Sequence, residues 1–249
     1  MAPRPALGST MIISHKYRFI FIKTHKTAGS SVETMLSQLC GPDDIVSTMD
    51  PPARDHEPRN WIGKSPLDRL YAKYERMRKL IHKDSMFLNK HYYQHMGGAR
   101  IKQLCGDDVW NSYYKFCFDR NPWDKVVSFY WWKMRGKAEK VPFSEWLRIK
   151  KLPLDHQLYC FGDDVAVDFV GCYETLNQDL QTVLKRIGIE NPPELPQVKT
   201  GIRKDKAHFS SAYSEADQEF VANLFAKEIE LLGYDFQGNN QPRPWVKDA

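Results

Sequence analysis

The sequence predicts an α/β chain in which helices flank both faces of a mostly parallel central sheet, and three observations carry that reading. An apolar run at 17–22 passes through a loop of small, hydroxyl and basic residues into a helical pattern at 32–39. A second apolar run at 113–118 passes through Asp119-Arg120-Asn121 into a helix start at Pro122. Strand and helix patterns go on alternating at 165–172, 176–187 and 215–232. Such alternation builds parallel strands joined by crossover helices, and ligands of such sheets gather at the carboxyl ends of the strands.

With 249 residues the chain is long enough to bury a core, and one domain over 1–249 is the expectation. Its 42% apolar and 27% charged residues are ordinary globular values and exclude global disorder. A formal net charge of +5 fits a local basic cleft and argues against nucleic-acid binding. The five cysteines, at 40, 105, 117, 160 and 172, are widely spaced and include no CxxC pair. Free thiols in a reducing compartment are expected, not a disulfide frame or a zinc site. Residues 1–14 lack the charged and apolar regions of a signal peptide, and no window reaches the length of a membrane span.

In chain order, Tyr17-Arg18-Phe19-Ile20-Phe21-Ile22 reads as a buried strand. Lys23-Thr24-His25-Lys26-Thr27-Ala28-Gly29-Ser30-Ser31 then forms a loop, and the helix after it is closed by Gly41 and Pro42. The first N–H groups of that helix have no intrahelical partner, and its dipole adds positive charge. With Lys23 and Lys26 beside them, they suit a phosphate-like anion. Residues 43–64, with Pro51, Pro52 and Pro58 among charges, read as an irregular surface segment.

Ser65-Pro66-Leu67-Asp68 starts a helix with Leu67, Leu70, Tyr71, Tyr74, Met77 and Ile81 at helical spacing and a basic, solvated outer face. Residues 89–98 concentrate histidine, aromatic and glycine residues before a short helix at 99–104. Asn121 as cap, Pro122 at the first position and Asp124 at the third then start a helix running to about Lys133. A helix at 144–150, a strand at 165–172, a helix at 176–187 and a basic loop at 199–206 follow. The final helix runs from Glu215 to Leu232, with Ser214 as cap and Phe220, Val221, Leu224, Phe225, Ile229 and Leu232 on its buried face. Residues 238–249 are expected to be a mobile tail.

The first loop departs from a nucleoside-triphosphate loop, because Lys26 precedes Gly29 where that motif places lysine after its last glycine. No apolar strand ends in an aspartate suited to magnesium, so ATP or GTP chemistry is the weaker reading. Phe21-Ile22-Lys23-Thr24-His25-Lys26-Thr27-Ala28-Gly29-Ser30-Ser31 instead resembles the 5′-phosphosulfate loop of sulfotransferases that use 3′-phosphoadenosine-5′-phosphosulfate (PAPS), above all the branch that sulfates carbohydrates. The segment from Phe116 through Arg120-Asn121-Pro122 to Tyr130 resembles that family's 3′-phosphate segment, with a serine eight residues after the arginine. The stretch 213–236 is similar to the family's last helix, whereas residues 43–90 match nothing in it.

The resemblance implies a P-loop-like sulfotransferase fold, PAPS as donor, 3′-phosphoadenosine-5′-phosphate (PAP) as product, no metal, and a hydroxyl-bearing acceptor, glycan or small molecule. It implies that Lys26 stabilises charge on the leaving oxygen, that Thr27, Ala28, Gly29, Ser30 and Ser31 bind the 5′-phosphosulfate with Lys23 beside them, and that Arg120 and Ser128 bind the 3′-phosphate. Arg203 and Lys204 are its candidates for further cofactor contacts. A phosphosulfate carries less charge than a triphosphate, so amides, hydroxyls and lysine suffice to hold it. The guanidinium fork of Arg120 suits a terminal phosphate.

An acceptor hydroxyl needs a base. His95 leads, because His95-Met96-Gly97-Gly98-Ala99-Arg100-Ile101 resembles the histidine-led segment of the carbohydrate enzymes. His91 is second, Glu33 stays open, and His25 is assigned to the loop itself. Trp123, Trp131 and Trp132 read as core or rim. The competing function is an idle polyanion-binding module using the same cleft. The expected setting is the cytoplasm, or the soluble part of a membrane-anchored Golgi enzyme.

Overall fold

The computed structural model describes residues 11–49, 53–63, 92, 95–196 and 207–247. Among these, the strands are β1 Ile12–Ser14, β2 Phe19–Phe21, β3 Ile45–Val46, β4 Tyr114–Asp119, β5 Cys160–Phe161, β6 Asp164–Val165, β7 Phe169–Cys172 and β8 Trp245–Val246. The helices are α1 Gly29–Leu39, α2 Gly98–Cys105, α3 Asp107–Ser112, α4 Pro122–Met134, α5 Phe143–Ile149, α6 His156–Tyr159, α7 Leu176–Arg186, α8 Glu215–Leu224 and α9 Ala226–Leu232. Six strands form the central sheet in the order β3-β1-β2-β4-β7-β8, while β5 and β6 make a separate hairpin. The middle of the sheet, β2-β4-β7, is parallel, with Phe21 opposite Phe116 and Phe116 opposite Phe169. Its edges are antiparallel.

Period-two alternation sorts the strand residues onto two faces. Phe19, Phe21, Phe116, Phe118 and Phe169 face one side, where Val32, Met35 and Leu36 of α1 and Leu180, Val183 and Leu184 of α7 cover them. Ile20, Ile22, Cys117, Val170 and Cys172 face the other, under α2, α4, α5, α8 and α9. On the phenylalanine face a Cβ at Gly171 would stand 2.6 Å from the Phe118 ring. Only glycine leaves room for that ring in the layer.

Several boundaries differ from those expected. The first helix begins at Gly29, inside the segment expected to be loop, because Ser31 and Val32 already donate to the carbonyl of Ala28 at 2.8 and 3.2 Å. The segment 43–64 is not wholly irregular: Ile45 and Val46 pair with β1, and Arg59 bridges to Val46. The stretch 165–172 splits at Ala166–Asp168 into β6 and β7. The final helix breaks at Phe225, whose ring turns in over Lys125 at 5.7 Å, and Leu224 lies on the exposed side. The expectation of a mobile tail is corrected at Trp245–Val246, which pairs with β7 and supplies partners to what would otherwise be an open edge. The basic helix expected at 65–81 and the basic loop at 199–206 lie outside the described residues. No helix among the described residues is long and apolar enough to cross a membrane.

Candidate active site

Two neighbouring parallel strands, β2 and β4, end side by side, and the loops that follow them meet. Arg120 donates from Nη1 to the carbonyl of Lys26 at 2.9 Å, and Thr24 donates from Oγ1 to the carbonyl of Phe118. Thr24 also shares a 2.8 Å hydrogen bond with the hydroxyl of Thr27. The two motif loops are therefore joined by hydrogen bonds at the strand ends.

The first loop turns sharply. Lys26 and Ala28 both take left-handed backbone, with φ of 62° and 56°, a conformation costly for residues with a Cβ. Ala28 caps α1 without any side-chain hydrogen bond. Among the described residues, the amides of Thr27, Ala28, Gly29 and Ser30 have no hydrogen-bond partner. Four consecutive unpaired N–H groups at a helix N-terminus make the kind of nest that suits an anion. Gly29 is needed there because a Cβ would stand 2.8 Å from Cγ of Lys23.

Lys23 serves that nest from beneath. Its ammonium is buried and donates to Ser30 Oγ at 3.1 Å and to Glu33 Oε2 at 3.0 Å. Glu33 is fully enclosed and lies 3.3 Å from His56 Nε2. Held this way, Glu33 acts as the counter-charge of Lys23. Lys26, by contrast, is half-buried with Nζ 5.9 Å from the centre of the Trp132 ring.

The second loop is organised around Arg120. Its guanidinium donates from Nε to Asp124 Oδ2 at 3.0 Å and from Nη2 to the same oxygen at 2.5 Å, and stacks over Tyr173 at 4.1 Å. Asn121 accepts from the Trp123 amide at 3.1 Å, and Glu174 accepts from the Asn121 amide at 2.8 Å. Ser128 is half-buried on α4, four residues beyond Asp124 and so on the same helix face. Its hydroxyl makes no hydrogen bond to another described residue.

His95 lies against the first loop. Its backbone is left-handed, with φ of 53°, and its Nδ1 is 2.9 Å from the carbonyl of Lys23. A carbonyl only accepts, so Nδ1 carries the hydrogen and Nε2 is the unprotonated nitrogen. Burial, with the neighbouring His25 and Lys23, holds the ring well below its ordinary value of 6.5. It is therefore neutral near pH 7. The ring of His25 stacks on that of His95 at 3.5 Å and 14°.

Beneath the loops runs a buried network that motif reading missed. Lys125 on α4 is fully enclosed and pairs with Asp119 and, at 3.1 Å, with Asp155. Asp155 accepts from the His25 amide at 2.9 Å and faces His25 Nδ1 at 2.6 Å, and Asp119 accepts from the Tyr159 hydroxyl at 2.9 Å. Burial pushes the Asp119 carboxyl up despite Lys125, whereas for Asp155 the lysine and His25 together overcome burial and push it down. One ammonium serves two carboxylates, and the His25 ring faces Asp155 alone. Trp123 is core, and Trp131 and Trp132 are half-buried rim residues. His91, Arg203 and Lys204 lie outside the described residues.

Comparison with known proteins agrees with this geometry. A family model described as the sulfotransferase family matches residues 9–235. The chain belongs to the sulfotransferase family. An uncharacterised protein of Archaeoglobus fulgidus is 36% identical over 101 residues, 38% of this chain and 82% of that protein. Carbohydrate sulfotransferase 10 of Xenopus laevis is 23% identical over 193 residues, 58% of this chain and 54% of that protein. The chain thus spans about half the length of that second relative. The mixed sheet with its parallel middle and helices on both faces is consistent with a sulfotransferase fold.

Proposed function

We propose that this sulfotransferase moves a sulfuryl group from PAPS to a hydroxyl of a carbohydrate or glycan-like acceptor, with His95 as the general base. The observation that carries the donor assignment is the row of unpartnered amides at 27–30, joined through the Lys26 carbonyl to the Arg120 guanidinium. An amide nest suits the less charged phosphosulfate end, and a guanidinium fork suits the terminal phosphate. The residues present thus fit the two anionic ends of PAPS. Thr27, Ala28, Gly29, Ser30 and Ser31 hold the first, with Lys23 fixing Ser30 from below. Arg120 and Ser128 hold the second, and Arg203 and Lys204 are further candidates from the resemblance.

The donor supplies a sulfuryl group on a phosphate leaving group. Nε2 of His95 takes the acceptor hydroxyl proton, while its Nδ1–H stays on the Lys23 carbonyl. Lys26 places positive charge where negative charge develops on the leaving side. The carbohydrate acceptor is supported by the named relative. We take 1–249 as one domain, with 43–90 on the acceptor side; one residue of that segment, His56, lies 3.3 Å from Glu33 of α1.

Calorimetry with PAP tests the donor site. The protein is expected to bind it, and Arg120→Ala to weaken binding by roughly tenfold or more, as for loss of a charge-assisted hydrogen bond. No binding, or affinity untouched by Arg120→Ala, would overturn the proposal. An acceptor screen with radiolabelled donor then separates an enzyme from an idle anion-binding module.

A further inference from the structure

Assigning a base leaves unexplained why a second histidine lies flat against it. His25 is held at two points by one carboxylate, its amide on Asp155 Oδ2 at 2.9 Å and its Nδ1 facing Oδ1 at 2.6 Å. Asp155 is itself enclosed and fixed by Lys125 at 3.1 Å. The edge of Phe129 closes on the His25 ring, at 6.4 Å and 78°. His25 therefore has little freedom to turn. Its ring centre is 3.5 Å from that of His95, closer than the usual separation of aromatic pairs.

We propose that His25 is a positioning residue for His95: clamped by Asp155, it holds the ring of the base in place, with Nδ1 on the Lys23 carbonyl and Nε2 left for the acceptor. This rests on the reading of His95 as the base. Two imidazolium rings at stacking distance repel, so the neighbouring His25 ring disfavours a proton on His95. Among the described residues, the titratable and charged groups facing His95 are His25 and Lys23 of the first loop and Asp155 ahead of α6. Asp155 faces Lys125 of α4 in turn. Burial acts on His95 in the same direction as His25 and Lys23, against the single carboxylate.

The test is a histidine NMR titration of the full chain, with the His95 resonance assigned from a His95→Gln variant. His25→Phe keeps a flat ring and removes the imidazole nitrogens and their Asp155 contact. His25→Asn keeps a donor for Asp155 and removes the ring. In both, the His95 midpoint is expected to rise toward the ordinary 6.5. An unmoved midpoint in the two variants overturns the inference, and a purely structural role for His25 predicts that result. Should either variant lose its folded spectrum, the other decides. The titration needs no ligand, so its failure is distinct from failure of the sulfotransferase reading, which shows as absent PAP binding by the unaltered protein.

Discussion

Two strand–loop–helix units lie side by side in the central sheet, β2 to α1 and β4 to α4, and they finish their helix N-termini in opposite ways. The first leaves the helix uncapped: Ala28 contributes no side-chain hydrogen bond, and the amides behind it stay open. The second is closed by the Asn121 side chain on the Trp123 amide and by Pro122, which has no amide hydrogen to offer. Main-chain donors are therefore left open in the first unit, while from the second a side chain, Arg120, reaches across to the Lys26 carbonyl. The same topology leaves main-chain donors open in one unit and capped in the other, and the cap residue chooses which.

The largest test of this pairing is Lys125→Ala. Lys125 reaches Asp119 at the end of β4 and Asp155, which clamps His25 of the first loop. Removing it strands two enclosed carboxylates. Urea unfolding should show a loss of about 3–5 kcal/mol. A loss below roughly 1 kcal/mol would mean that the two units are not tied through this lysine.

A pH series probes the wall of the first unit. His95 is held below 6.5, so as pH falls the unfolded chain takes a proton there first, and folded stability declines as pH drops below about 6.5. His95→Gln lacks this contribution. Its stability relative to the parent should rise between pH 7 and pH 5; parallel curves would show that the ring titrates normally.

Smaller effects separate the two helix ends. Asn121→Ala removes a working cap and should cost about 1 kcal/mol in chemical denaturation. Ala28→Gly at the uncapped end removes the left-handed strain of an alanine at φ 56°. Net of the extra backbone entropy, thermal unfolding should show a gain of about 0.5 kcal/mol. A gain at Asn121, or a loss at Ala28, would erase the contrast between the two ends.

Much of this was legible before the fold was known because its signals are local. The alternation that sends Phe116 and Phe118 to one face and Cys117 to the other is written in adjacent residues. So are the Asn121-Pro122 helix start and the order of Lys26 and Gly29. The edge strands were not legible: Ile12–Ser14, Ile45–Val46 and Trp245–Val246 are two or three residues long, too short for a period. Asp155 was hidden for another reason. It stands 130 positions from His25, and nothing near it in sequence marks it as a partner.

By itself, then, the sequence determined the two strand-to-helix turns and the helices that back them, since strand period, cap and loop composition act within a few residues. Only the tertiary structure decided that Lys23 points under the nest to Glu33, that Arg120 reaches across to the Lys26 carbonyl, and that Asp155 and Lys125 stand behind His25 and His95. Buried charges must find their counter-charges wherever the packed core brings them, and that pairing follows the fold and not the chain.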